Sequence, residues 1–223
     1  MFGIGKKKIK TKGKGNQVLF EGCSSKNLLG KSSLNINGKN NQVVFDHIKR
    51  YRDSRIKIEG NNNTVKFAEN GSGILSISIL ANNCTVEIGK NSSFSGTEIH
   101  LWENGSRVII GNDCIFAGQT CIYCTDFHSV TDAEGKPLNQ GREIIIGNHC
   151  WSGSGAKILK NTWLADDIII GAASVVSKSC QQRNVVLAGN PARIVKENVY
   201  WQLPSYDKQL EIYLNNNLLR TKK

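Results

Sequence analysis

The 223-residue sequence predicts an all-β solenoid, in which short strands coil around one long hydrophobic core. Three observations support this class. Aliphatic residues recur every six positions in the C-terminal half, valines recur every 21 or 22 positions in the N-terminal half, and asparagine and glycine lie between the repeats. A period of six fits neither an α-helix nor a simply alternating strand, but it fits short strands joined by tight corners.

The six-residue repeat predicts the coils of the C-terminal half. The aliphatic residue of each hexapeptide is expected to fill the interior, and a mostly small residue four positions later is expected to lie at a crowded corner. Segments such as GNDC and GNHC suit corners because glycine and asparagine tolerate left-handed backbone angles. The interior positions are Ile110, Phe116 and Ile122, then Ile146, Ser152, Ile158, Leu164, Ile170 and Val176.

The N-terminal half repeats with a longer step. Val43, Val65, Val86 and Val108 are separated by 22, 21 and 22 residues, and Val18 belongs to a weaker first copy. Asparagine-rich segments precede these valines. We therefore expect coils slightly longer than three hexapeptides, each burying its apolar face only by stacking on its neighbour.

The two ends of the chain depart from the repeat and define three predicted parts. Residues 1–15 are predicted to be a basic tail, and residues 16–198 the solenoid. Residues 199–223 are predicted to form a short C-terminal helix followed by a second basic tail, because their apolar residues fall at helical spacing.

The formal charge of +11 is assigned mainly to the two ends. Six lysines precede the first acid, Glu21, and three basic residues follow the last acid, Glu211, which leaves a formal charge of +2 between them. We interpret these ends as solvated tails, with contact to a membrane surface or a polyanion as the alternative. The sequence therefore does not predict a nucleic-acid partner.

Neither a secretory signal nor an apolar run of membrane-spanning length is found in the sequence. The seven cysteines show no spacing typical of a disulfide framework. These features predict a cytoplasmic protein without an integral membrane segment.

A break in the repeat predicts a loop over residues 128–143. After Ile122 the next interior position would be His128, and the pattern resumes at about Ile144. Long loops on a rigid scaffold tend to carry function. His128 lies between two aspartates in TDFHSVTD, and the residues alone allow a catalytic base, a metal ligand or an exposed polar residue.

Three segments together resemble the hexapeptide-repeat acyltransferases. They are the loop motif DFHSVTD, the repeat IIIGNHCWSGSGAKILKNTWLADDIIIGAASVVSK and the closing AGNPARIVK. The resemblance covers most of the chain and is strongest over residues 108–197. Within the family, the chain looks most like O-acetyltransferases of bacterial surface polysaccharides, which include capsule, lipopolysaccharide and polysialic acid enzymes.

The resemblance implies more than the period can fix. It implies a left-handed parallel β-helix, assembly as a homotrimer, and transfer of an acetyl group from acetyl-CoA to a sugar hydroxyl. His128 is implied as the general base of a direct attack, and Trp151 as a residue that lines the site. Asp126 is the first candidate to orient His128, with a role as a corner cap as the alternative.

The cofactor residues are also implied by the resemblance. Acetyl-CoA would lie in a groove between adjacent subunits, with its pantetheine arm against small residues and its phosphates near cations. Pro191 would fix a bend beside the adenine. The small residues are Gly153, Gly155, Ala156, Ala173 and Ser174, and the cations are Lys178, Arg193 and Lys196.

Metal sites and other activities are the alternatives to this function. Zinc chemistry would need His100, His128 and His149 around one ion, but no pair has close ligand spacing. The CIYC segment at 121–124 lacks a second cysteine pair, so we predict coil packing there and no metal site. A non-catalytic glycan-binding solenoid, and an acetyltransferase of a small or nucleotide-linked acceptor, remain as alternatives.

Overall fold

The computed structural model describes residues 8–202, which form a parallel β-solenoid with three flat sides. Side 1 consists of β2 Gln17–Glu21, β5 Gln42–Asp46, β8 Thr64–Phe67, β10 Thr85–Ile88, β12 Arg107–Ile110, β15 Glu143–Ile146 and β18 Thr162–Leu164. Side 2 contains β3 Leu28–Leu29, β6 Arg50–Arg52, β13 Ile115–Phe116, β16 Trp151–Ser152, β19 Ile168–Ile170 and β21 Val185–Gly189. Side 3 contains β1 Lys8–Lys12, β4 Ser33–Asn37, β7 Arg55–Glu59, β14 Cys121–Tyr123, β17 Lys157–Leu159 and β20 Val175–Val176.

Three further elements complete the described chain. Strands β9 Ser72–Ile79 and β11 Ser93–Leu101 run continuously from side 2 onto side 3, and pair with each other in parallel. A short 3-10 helix, Ser25–Asn27, precedes β3. The last strand, β22 Ala192–Glu197, turns back antiparallel on β21 and covers the end of side 2. No helix in the described range is long and apolar enough to cross a membrane.

The core confirms both predicted periods. Each of the nine interior positions of the six-residue repeat is at most 3% exposed. Val43, Val65, Val86 and Val108 are fully buried, and each is paired in register with the next along side 1. The solenoid is therefore a stack of coils around one continuous apolar column.

Buried asparagines build one corner of the N-terminal coils. Asn41 and Asn63 are fully buried at the corner between sides 3 and 1. The amide of Asn63 donates to the carbonyl of Ala81 at 2.9 Å, and its oxygen accepts the Cys84 N–H at 2.8 Å. These bonds satisfy backbone groups that the corner would otherwise leave unpaired in the core.

The boundary predicted at residue 16 is wrong. Strand β1 pairs in parallel with β4 along its whole length, so residues 8–12 belong to the first coil and not to a tail. The alternating sequence of β1 explains the difference. Lysines occupy every second position, and the residues between them, Ile9 and Thr11, are in register with the buried Leu34 and Ile36. Residues 199–202, at the start of the predicted C-terminal segment, have no regular structure, and residues 203–223 lie outside the described range.

The predicted loop is present and begins earlier than residue 128. Residues 124–142 separate β14 from β15, and one isolated bridge between Thr131 and Pro137 is formed within them. The loop leaves the solenoid at the corner between sides 3 and 1.

Candidate active site

The loop 124–142 and the corner below it enclose a cleft of about 810 Å³. His128 lies on its wall, and the loop residues Lys136 and Asn139 lie opposite the coil residues Glu59 and Trp102. The predicted histidine is therefore placed at an open cavity that is built partly by coils upstream of the loop.

An aromatic cluster lies beside His128, and two of its members, Trp102 and Phe127, line the cleft. The ring of Phe127 packs edge-on against Trp102 at 4.8 Å, Tyr123 at 5.2 Å and His100 at 5.5 Å between ring centroids. Phe127 adopts a left-handed backbone with φ of 64°, which is costly for a bulky residue. The sharp turn places Phe127 on side 3 and leaves the next residue, His128, exposed.

The side chain of Asn139 ties the two arms of the loop together. Its oxygen accepts the Val130 N–H at 2.8 Å, and its amide donates to the His128 carbonyl at 2.9 Å and to Asp126 at 2.7 Å. Lys160, from the next coil, donates to both the Asp126 carboxylate and the Asn139 carbonyl. Together these bonds fix the backbone on either side of His128.

Asp126 is part of this set of contacts, which we name the loop clamp: Asp126, Asn139 and Lys160. Its carboxylate accepts hydrogen bonds from Lys160 and Asn139, and none of its bonds to described residues reaches the His128 ring. Burial raises the pKa of Asp126, but the hydrogen bonds from Lys160 and Asn139 lower it by more, so the pKa lies below its usual value. The Asp126 side chain is 45% exposed, because the chain has already left the repeat at the buried Thr125.

Trp151 lies on side 2 at the start of β16 and is 40% exposed. Its ring is 6.2 Å from that of Trp201, which stacks on His149 at 4.1 Å. Side 2 is opposite the corner that carries the loop. Within one chain, the structure therefore does not bring His128 and Trp151 together.

The small residues predicted to contact coenzyme A fall into two groups. Gly155 and Ala173 lie at the surface of the corner between sides 2 and 3, and both have left-handed backbones. Gly153, Ala156 and Ser174 are buried within one chain, and their contact with coenzyme A stays a prediction. Coil stacking explains why position 153 is a glycine, since a Cβ there would lie 2.6 Å from the Ala172 backbone nitrogen.

The predicted cations lie at the C-terminal end of the solenoid. Lys178 and Arg193 line a shallow cavity of about 190 Å³, and Lys196 is exposed on β22. Pro191 follows a cis peptide bond in the turn between β21 and β22. These residues are separate from the His128 cleft within one chain.

The two metal hypotheses have little support in the described part of the chain. His100 packs in the aromatic cluster, while His149 sits at another corner and bonds Asp167 at 3.0 Å. Residues 8–202 contain no group of three metal-ligating side chains. Burial raises the pKa of the Cys124 thiol to about 12, so it stays protonated at neutral pH.

Three residues of this site were missed by the sequence analysis. Trp102 was recoverable, because it is two residues from His100 and an alternating strand places both on one face. Asn139 and Lys160 carried no local signal, since they lie 11 residues from His128 and 34 from Asp126 respectively.

The chain is similar in sequence to two curated acetyltransferases. It is 33% identical over 154 residues to a polysialic acid O-acetyltransferase of Neisseria meningitidis, covering 69% of this chain and 71% of that protein. It is 28% identical over 135 residues to a polysialic acid O-acetyltransferase of Escherichia coli O1:K1, covering 57% of this chain and 43% of that protein. No protein-family model matches the chain.

Two crystal structures resemble nearly the whole molecule. The polySia-specific acetyltransferase NeuO aligns over 94% of this chain and 98% of its own, with a TM-score of 0.79 and 26% identity. The polysialic acid O-acetyltransferase OatWY aligns over 93% of this chain and 98% of its own, with a TM-score of 0.74 and 28% identity.

Proposed function

The chain belongs to the hexapeptide-repeat acetyltransferases, a family of left-handed parallel β-helices, and we propose that it moves an acetyl group from acetyl-CoA to a sugar hydroxyl of a bacterial surface polysaccharide. The observation that supports this best is that His128 lines the cleft of about 810 Å³ together with the rings of Trp102 and Phe127. The Neisseria relative, named for polysialic acid, supports a saccharide acceptor.

The proposed reaction is a direct transfer without an acyl-enzyme. A ring nitrogen of His128 takes the proton of the acceptor hydroxyl while the oxygen attacks the thioester carbonyl. The tetrahedral intermediate then expels the thiolate of coenzyme A, and the histidine returns the proton to that sulfur. A positioned base of this kind contributes about 10² to 10⁴ in rate.

The role of the loop clamp is to position the base. Asn139 holds the His128 carbonyl, and Lys160 holds Asn139 and Asp126, so the imidazole projects from a fixed backbone. Asp126 therefore acts on His128 through the loop.

A homotrimer would complete the site. Side 2 of one chain would face the loop corner of the next, so that Trp151 of the first approaches His128 of the second. Gly155 and Ala173 would lie along the pantetheine arm in the same groove, where backbone N–H groups can polarise the thioester oxygen. Lys178 and Arg193 line the cavity at the C-terminal end, where phosphates would bind.

The experiment that tests this function is thiol release from acetyl-CoA in the presence of sialic-acid-containing and neutral bacterial glycans. We expect His128→Ala to lower glycan-dependent release by about 10² to 10⁴ while the KM for acetyl-CoA stays the same. His47→Ala is the matched control, because His47 is also exposed but lies on another corner, bonded to Asp46.

A near wild-type rate for His128→Ala would remove the base assignment. If the wild-type protein binds glycans but releases no thiol, a non-catalytic binding solenoid becomes the better description. Release with a small saccharide but not with a polymer would favour the small-acceptor alternative.

A further inference from the structure

Positive charge is concentrated in the N-terminal half of the described chain. Residues 8–80 contain 13 lysines and arginines and five acids, a formal charge of +8, whereas residues 81–202 contain ten basic and 11 acidic residues. Because β1 belongs to the first coil, the lysines before Glu21 that the structure describes are part of a folded surface. The basicity is thus a property of one half of the solenoid as well as of the chain ends.

On side 3, the strand register connects part of this charge to the active site. The strand register aligns Lys10, Asn35, Lys57, Ser78 and His100 on successive coils. The next residue in the column is Tyr123, which packs against Phe127 of the loop. From Lys57 to Tyr123 is three coils, or roughly 14 Å at about 4.8 Å per coil.

We name the exposed cations of this face the basic track: Lys10, Lys12, Arg55 and Lys57. Two acids share the face. Glu59 is paired with Lys57 at 2.9 Å, and Glu98 lies 3.5 Å from the His100 ring. The track therefore keeps an excess of positive charge on a flat strand surface.

Between the basic track and the loop, side 3 is polar and open. Ser76 and Ser78 are small residues with hydroxyls on the outer face, and the half-exposed Trp102 donates to the Ser78 hydroxyl at 3.4 Å. A sugar ring can pack an apolar face against Trp102 while its hydroxyls and carboxylates meet polar and cationic groups. A polysaccharide bound in this way does not need a groove as wide as a nucleic-acid duplex.

We propose that the outer face of side 3 binds an anionic polysaccharide, which lies along the basic track and delivers one sugar to His128. The proposal rests on the proposed function, in which the acceptor is a surface polysaccharide, and adds the path of that acceptor along side 3. Sides 1 and 2 do not offer this path. On the outer face of side 1 the two cations, Lys66 and Arg107, are each 3.5 Å from an acid, and the acids Glu21 and Asp46 remain in excess. The cations of side 2 lie opposite the loop corner.

The test compares two double variants in the same coil. Arg55→Gln with Lys57→Gln removes two cations of the basic track from β7. Arg50→Gln with Arg52→Gln removes two equally exposed cations from β6 on side 2. Both variants lower the net charge by two, so any general charge effect is common to them.

The first measurement is the affinity for long-chain polysialic acid in low salt and without acetyl-CoA. We expect the Arg55 and Lys57 variant to bind about tenfold more weakly and the Arg50 and Arg52 variant to stay within about twofold of wild type. Polymer acetylation should show the same pattern in KM, with kcat and the KM for acetyl-CoA unchanged.

The proposed track is wrong if both variants bind polysialic acid equally weakly, or if the wild type does not bind it. It is also wrong if only the Arg55 and Lys57 variant loses oligomeric mass. Equal binding of single-stranded DNA, with the same dependence on Arg55 and Lys57, would overturn it as well. Track-dependent binding without thiol release would leave the track in place and remove the proposed function. Glycan-dependent thiol release that is unchanged in the Arg55 and Lys57 variant would remove the track and leave the proposed function in place.

Discussion

The first coil steps by 25 residues and the others before the loop by 21 to 23, whereas those after the loop step by 17 or 18. The coils before the loop have strands of three to nine residues on sides 1 and 3, a stack of Phe20, Phe45 and Phe67 with centroids 4.9 Å apart, and corners closed by buried asparagines. The coils after the loop have parallel strands of two to five residues, a mostly aliphatic interior and corners where small residues approach the next backbone.

The difference relates coil length to function. Longer coils give wide, flat sides on which the basic track and the serines of side 3 lie in register. Shorter coils give tight corners, where Gly155 and Ala173 expose backbone at the proposed coenzyme A groove. On the proposed function, one solenoid thus supplies a surface for a polymer at one end and a close approach for the pantetheine arm at the other.

The largest expected effect is the loss of an N-terminal corner amide. Asn63→Ala would leave the Ala81 carbonyl and the Cys84 N–H unpaired in the core, and should lower the free energy of unfolding by about 2 to 4 kcal/mol. Thr162→Ala, at a buried C-terminal position with one long bond of 3.5 Å, should cost about 1 kcal/mol. Urea denaturation of both variants measures the contrast, and equal costs would mean that the two corners are stabilised alike.

A smaller effect is expected from glycine substitutions that probe how closely the coils approach. Gly153→Ala places a methyl 2.6 Å from the Ala172 nitrogen, so the backbone must shift, at a cost of about 2 kcal/mol. Gly105→Ala has no atom within 4 Å of the added methyl and meets only the strain of a φ of 75°, about 1 kcal/mol. Thermal unfolding should rank the two in this order; the reverse order would show that the C-terminal corners yield easily.

The smallest effect is expected at the loop clamp, which joins the two halves through partly exposed groups. Asp126→Asn should lower global stability by about 0.5 kcal/mol or less, since its ion pair with Lys160 is partly solvated. Amide exchange at Val130 and Leu138 should nevertheless become faster, because the arms of the loop lose one of their ties.

The pH dependence of the clamp follows from the lowered pKa of Asp126. The folded value lies below the unfolded value of about 3.9, so the stabilisation is present above that pH and is lost as the pH falls through the folded pKa. The protection factor of the Val130 amide against hydrogen exchange, measured downward from pH 5, should therefore fall only in acid. A fall in protection between pH 6 and 7 would point to a different group.

Periodicity made the coil interior predictable from the sequence. Residues such as Ile158 and Val86 were placed correctly because a stacked coil repeats the same environment, so sequence spacing alone reports burial. Trp151 was placed at the surface by the same logic. The contacts that were missed fall where the repeat gives no information about them, as at Asp126, which bonds a lysine 34 residues away.

The sequence by itself determined the solenoid, the loop that carries His128 and the acyltransferase family. These depend on local spacing, because each coil stacks only on its neighbours. The tertiary structure alone decided that β1 belongs to the first coil, that Lys160 and Asn139 hold the loop, and that Lys10, Lys57 and His100 share one column. Such relations depend on strand register and on side chains that meet across coils, and a period records neither.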